Sequence, residues 1–215
     1  MSSNTKGTLG LLAVIVLFAM FAQGNTKTIK GTAAPVLQAD NGTHRVTVSP
    51  SLSGQFIDTI LCTWHSPACH SGQELHDLGA QYGIDPAYAL AFFMNESTFG
   101  TAGMARSTQG LGNERCIQDR PCINTQGGAC QAGQSCYAQF ESWTDGFQHW
   151  YALIENGYVK GQINAAVGRQ ACPCVTVDQI IPVYAPNSDH NNEQHYIYVV
   201  EHAVDLWRAG KVMLA

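Results

Sequence analysis

Charge is scarce in this chain. Asp, Glu, Lys and Arg make up only 13% of it, with 11 basic against 16 acidic side chains and a formal net charge of −5. There is no Lys/Arg run and no basic patch, so nucleic acid is not an expected partner. No internal repeat is visible. The cluster Cys62, His65, Cys69 and His70 does not show the paired C-x2-C or H-x3-5-H spacing at two separate sites that is usual in zinc modules, and the C-x-x-C of thiol redox enzymes is missing. The sequence therefore calls for no metal and no cofactor. With so few charges, the surface must be carried by Asn, Gln, Ser, Thr and Gly, which suits an extracellular or carbohydrate-facing protein.

Cysteine, by contrast, is abundant. There are eight in 215 residues, an even number set close together in sequence. An oxidising compartment is the simplest explanation. Residues 9–22, LGLLAVIVLFAMFA, form an apolar run behind Lys6. It is shorter than the ~20 residues of a usual membrane span and fits the h-region of a secretory signal. Residues 1–24 are read as a cleaved signal peptide or, alternatively, a single uncleaved N-terminal membrane anchor. Residues 25–50, rich in Thr, Gly, Ala, Pro and Asn, read as a flexible linker. Within it, Arg45-Val46-Thr47-Val48 suits either a short strand or an extended tether. Residues 51–215 are long enough for one folded domain, expected to be a monomer.

The densest signal lies at residues 82–103, YGIDPAYALAFFMNESTFGTAG. Asp85 suits an N-cap and Pro86 the first helical position. The apolar run that follows predicts a buried helix, with Gly100 available for a left-handed stop. Glu96 sits near its end. Burial against Phe92, Phe93 and Met94, and the negative end of the helix dipole, both favour the neutral carboxyl. A general acid working near neutral pH needs that raised pKa. Local physics leaves an alternative open, in which Glu96 tips into solvent or pairs with Arg106.

Helical spacing predicts further helices after Ser53, over residues 72–81, after Ser142, after Thr176 and over about 192–209. Asn156-Gly157 is expected to end the fourth predicted helix, and Thr176 with Gln179 to form a capping box. The stripe Tyr196, Val199, Val200, Ala203, Leu206 and Trp207 reads as core. Residues 101–139 lose periodicity and are expected to be pinned by Cys116–Cys122 and Cys130–Cys136. Cys62–Cys69 is expected to close a small loop, in preference to a zinc cluster with His65 and His70. Cys172-Pro-Cys174 looks too cramped for an easy internal bond; these two either reach other cysteines or pair under strain.

The segment Ala-Leu-Ala-Phe-Phe-Met-Asn-Glu96-Ser-Thr-Phe-Gly-Thr resembles the catalytic helix of family 73 glycoside hydrolases, the bacterial endo-N-acetylglucosaminidases. Three further stretches agree in order. Gln109-Gly-Leu-Gly-Asn113 is similar to that family's turn after the helix. Tyr137-Ala-Gln-Phe-Glu-Ser-Trp-Thr-Asp-Gly146 and Tyr184-Ala-Pro-Asn-Ser-Asp-His-Asn-Asn192 match its later motifs. The resemblance implies a mainly α, lysozyme-like helical domain with a small loop/β lobe, here carrying disulfides. It implies hydrolysis of β-1,4 bonds after N-acetylglucosamine in peptidoglycan or a related glycan, in the bacterial cell envelope, by a secreted or membrane-anchored protein. Glu96 is the implied general acid and Tyr184 the tyrosine across the cleft. Glu114 is the nearest candidate for a second carboxylate, with assistance by the substrate's own acetamido group as the other route. Gln109, Gly110, Asn113 and Tyr137 are the implied substrate contacts. The alternatives are a lytic transglycosylase or muramidase on the same fold, and a non-catalytic cell-wall glycan-binding module. The cysteine-rich insert 116–136 departs from the family pattern.

Overall fold

The structure is a computed structural model that describes residues 43–162 and 172–213. The signal or anchor at 1–24 and the linker up to residue 42 lie outside these residues. Seven α-helices are described: α1 Gly54–Thr63, α2 Gly72–Tyr82, α3 Pro86–Ser97, α4 Ala105–Thr108, α5 Trp143–Ala152, α6 Val177–Tyr184 and α7 Glu193–Arg208. Two short antiparallel strands, β1 Cys122–Asn124 and β2 Cys136–Ala138, form the sheet. The domain is thus mainly α with a small disulfide-bearing β element. No helix among the described residues is long and apolar enough to cross a membrane.

α3 is the axis, and the others pack around it. Asp85 accepts from the Ala87 N–H at 3.1 Å, Pro86 opens the first turn, and every residue from Pro86 to Met94 is buried. Rings close on it from three sides. Phe92 meets Trp150 of α5 edge-on at 5.3 Å, Tyr184 of α6 at 5.2 Å and Tyr196 of α7 at 5.6 Å. Burying such side chains contributes about 1.5–3 kcal/mol each, which makes this cluster the main source of stability. A second tie fixes α7 to α3. Arg208 Nη2 lies 2.9 Å from Asp85 Oδ2, and the Asp85 carboxyl is fully buried. The other oxygen of Asp85 also accepts from Ser51 N–H at 3.0 Å, so the buried charge is fully engaged.

The helix stop differs from the expected one. Three successive residues take left-handed backbone, Thr98 at φ 48°, Phe99 at 54° and Gly100 at 85°, so the turn begins before the glycine. A left-handed non-glycine residue costs roughly 1–2 kcal/mol. Packing offsets it here. Phe99 is buried between Trp64 and Trp207, at 5.6 and 6.2 Å. Ser97 Oγ donates to Leu111 carbonyl at 2.6 Å and accepts from Gly100 N–H at 2.8 Å, stitching the helix end to the following turn.

Three other expectations are corrected. The linker does not run to residue 50: Val46 and Val48 are buried, Val46 N–H donates to Val175 carbonyl at 2.9 Å, and Asp85 N–H donates to Val46 carbonyl at 2.9 Å. Two alternating valines suffice to bind this extended segment to the domain, although its composition reads as linker. Asn156-Gly157 does not end α5. The chain continues as a π-helix over Leu153–Val159, because Ile154 and Tyr158 are drawn into the core. The capping box of α6 is not formed: Gln179 accepts from Val175 N–H, one residue ahead of the cap, at 2.9 Å, and the Thr176 hydroxyl turns to Asp178.

All eight cysteines are paired, as Cys62–Cys69, Cys116–Cys122, Cys130–Cys136 and Cys172–Cys174. The first three are the expected neighbours. Cys172 and Cys174 bond each other across Pro173, since the other six cysteines are already used. With Cys62 and Cys69 joined, neither is free as a thiolate for a metal beside His70.

Candidate active site

The end of α3 presents Glu96 to a group of tyrosines. Tyr196, in the first turn of α7, donates its hydroxyl to Glu96 Oε1 at 2.6 Å. The main chain of Glu96 is held as well. Asn113 Nδ2 donates to the Glu96 carbonyl at 2.7 Å, and Asn113 Oδ1 accepts from Met104 N–H at 3.0 Å. Glu96 as a residue is half-buried, so part of it reaches the surface, but its carboxyl is enclosed by protein. That burial is the main reason its pKa is raised, to about 7. The Tyr196 hydrogen bond pulls the other way, the charge of Glu114 adds to the rise, and Arg115 opposes it. The Arg106 alternative is not seen: Arg106 is exposed and the carboxyl's partner is Tyr196.

Tyr184 and Tyr158 complete the aromatic wall. Their rings lie 5.8 Å apart, and Tyr184 meets Tyr196 edge-on at 6.3 Å. The π-helical stretch is what carries Tyr158 here, in keeping with the frequent use of such segments at functional sites. Burial first, then the negative charges of Glu96 and Glu114, push the pKa of both Tyr184 and Tyr158 up. Tyr196 is raised by burial and then by the Glu96 charge. All three therefore remain neutral hydroxyl donors across the physiological range.

Glu114 stands on the loop ahead of β1. Its Oε2 lies 2.6 Å from His149 Nδ1 of α5, with only 7% of the Glu114 side chain and 14% of the His149 side chain exposed. Its charge is felt at Glu96, Tyr158 and Tyr184, which places all four groups in one electrostatic unit. Of the three implied catalytic residues, Glu96 and Tyr184 are joined through Tyr196, while Glu114 is held by His149 and acts on them through its charge.

The implied substrate contacts divide. Gly110 is buried under the Phe140 ring, where an added Cβ would lie 2.7 Å from a ring carbon, and its carbonyl accepts from Asn113 N–H. It is a packing position. Gln109, at φ 55°, turns its carbonyl against Gly146; a Cβ there would approach that oxygen to 2.4 Å. Its backbone serves the α5 contact. Asn113 positions Glu96 through the backbone. Tyr137 is half-buried on β2 with the Arg115 guanidinium 4.7 Å from its ring centroid.

Two members of the site were not singled out from sequence. Tyr196 reads as one more core position of α7, and His149 as an ordinary helix residue. A signal for Tyr196 existed: a buried tyrosine hydroxyl needs a partner, and a buried carboxyl was already expected. For His149, 35 residues from Glu114, no local pattern exists. No protein-family model matches the chain, and no curated protein matches it.

Proposed function

We propose that the protein is an extracytoplasmic glycoside hydrolase. It cleaves β-1,4 bonds after N-acetylglucosamine in peptidoglycan or a related glycan, on a lysozyme-like scaffold of the kind found in family 73. The observation that carries this reading is the Glu96 carboxyl at the end of the buried α3, enclosed by protein and bonded to the Tyr196 hydroxyl at 2.6 Å. The Glu96 pKa near 7 leaves a substantial neutral fraction at neutral pH, as a general acid requires. Oε1 accepts from Tyr196, so the acidic hydrogen resides on Oε2, free to be given to a glycosidic oxygen. Glu114 is a second carboxylate whose charge acts on Glu96, and it is assigned as the other carboxyl that glycoside hydrolysis uses. Tyr184 is assigned to the sugar or its acetamido group from across the site. The reaction uses neither metal nor cofactor. Four disulfides fit an extracellular location, and residues 1–24 would supply the route there, as a signal or an anchor.

The test is release of reducing ends from purified peptidoglycan. Wild type should release reducing N-acetylglucosamine ends, and Glu96→Gln should lose about 10²–10⁴-fold in rate. Anhydro-muramic ends would assign a lytic transglycosylase instead, and glycan binding without turnover a non-catalytic module.

A further inference from the structure

Three arginines of the domain lie over aromatic rings. Arg120 stands 5.3 Å from the Phe140 ring centroid, Arg208 5.3 Å from that of Tyr88, and Arg115 4.7 Å from that of Tyr137. The first two also hold a carboxylate: Arg120 binds Asp145 at 2.6 Å and Arg208 binds Asp85 at 2.9 Å. Arg115 does not. Its side chain makes no ion pair and no hydrogen bond among the described residues. A half-buried guanidinium has given up part of its hydration. The Tyr137 ring eases its charge but takes none of its N–H donors in a hydrogen bond. Those donors form a planar fork that matches a carboxylate.

The chain that carries Arg115 is fixed. Arg115 bridges to Tyr137 in antiparallel register. On one side Ala138 N–H donates to the Glu114 carbonyl at 3.0 Å, and on the other Cys116 N–H donates to the Cys136 carbonyl at 3.1 Å. Cys116 is tied again by its bond to Cys122. A fork set on pinned backbone loses less freedom when it binds. This stretch also belongs to the Glu96 end of α3. Asn113, two residues earlier, donates to the Glu96 carbonyl at 2.7 Å, and two residues of chain reach at most about 7 Å. The Arg115 charge acts on the Glu96 carboxyl, against that of Glu114.

We propose that Arg115, backed by Tyr137, binds a carboxylate of the glycan beside the bond that Glu96 acts on, and so selects an acidic glycan over a neutral one. The inference rests on the glycoside hydrolase reading and narrows its substrate. In peptidoglycan the sugar that follows N-acetylglucosamine is N-acetylmuramic acid. It offers a carboxylate in two forms. In peptide-free strands the lactyl group itself is ionised; in peptide-bearing strands that group is an amide and the carboxylates lie on the peptide. A polymer of N-acetylglucosamine alone offers neither.

The experiment is calorimetric binding of the full chain to soluble glycan strands, with initial rates on the same strands and thermal melting of each variant. Peptide-free and peptide-bearing strands are each used as prepared and after carbodiimide coupling to ammonia, which turns carboxylates into neutral amides. Arg115→Gln should weaken binding to carboxylate strands about tenfold and leave binding to amidated strands unchanged. KM should rise by the same factor, with kcat within about threefold. A loss confined to peptide-free strands assigns the lactyl carboxylate, and one confined to peptide-bearing strands the peptide. Arg115→Lys keeps the charge without the fork and should fall between wild type and Arg115→Gln. Equal binding of wild type and Arg115→Gln to both carboxylate strands would overturn the proposal, as would an equal loss on the amidated ones. If Arg115→Gln does not fold, Arg115→Lys decides by the same comparison. Carboxylate-dependent binding through Arg115 without turnover sinks the hydrolase reading and leaves this site standing. Turnover by wild type beside an unaltered Arg115→Gln sinks this proposal alone.

Discussion

At the scale of single residues, the protonation of Glu96 bears on stability and, on the proposed chemistry, on activity. Its folded pKa, near 7, is above the ordinary 4.5. The folded state therefore binds more protons than the unfolded state between those values, and stability falls as pH rises through that window. Glu96→Gln should accordingly be more stable than wild type above pH 7, by up to about 3 kcal/mol, with the difference vanishing below pH 4.5. Denaturant titrations at the two pH values check this. Tyr196→Phe removes the hydrogen bond that pulls the Glu96 pKa down. The alkaline limb of kcat/KM should then move to higher pH, which a pH–rate profile reads directly.

At the scale of elements, α3 and its two ends decide whether the site is assembled. Its start was plain in the sequence because a capping Asp, a first-turn Pro and an apolar run are local chemistry. Its stop was not, since Thr98 and Phe99 adopt left-handed backbone only because Phe99 is held between Trp64 and Trp207. Thr98 is exposed, and replacing it by Gly should relieve that strain and stabilise the domain by about 0.5–1 kcal/mol, after allowance for glycine's extra freedom when unfolded. In this size range the melting temperature should rise by about 1–4 °C. At the other end, Asp85→Ala removes the cap and leaves Arg208 without its buried partner. A loss of about 3–5 kcal/mol is expected in chemical denaturation. The π-helical continuation of α5 was likewise hidden: Asn-Gly reads as a stop, and only the core's demand for Ile154 and Tyr158 carries the helix past it.

At the scale of the whole molecule, what sequence made legible were the features that are local in the chain. Three of four disulfides join cysteines six or seven residues apart, and the helices follow their apolar spacing. What it hid were contacts between distant segments. Val46 lies against Val175, 129 positions on if counted from 46 to 175, and Tyr196 reaches Glu96 across 100 residues. Periodicity marks a side chain as buried but does not say what its polar atom meets. Hence apolar spacing marks the end of α3 and Tyr196 alike as buried, and does not pair the Tyr196 hydroxyl with Glu96. The insert between Cys116 and Cys136 carries no long helix, and its position comes from the Arg120–Asp145 pair and the Cys116 N–H to Cys136 carbonyl bond at 3.1 Å.

The proposed chemistry turns on Glu96 donating a proton to a glycosidic oxygen. Reducing-end release from purified peptidoglycan by wild type and Glu96→Gln, followed across pH 5 to 9, tests it most directly. Wild-type activity should fall as pH rises past about 7, and the variant should be about 10²–10⁴-fold slower at every pH. Equal activity of the two proteins would contradict it.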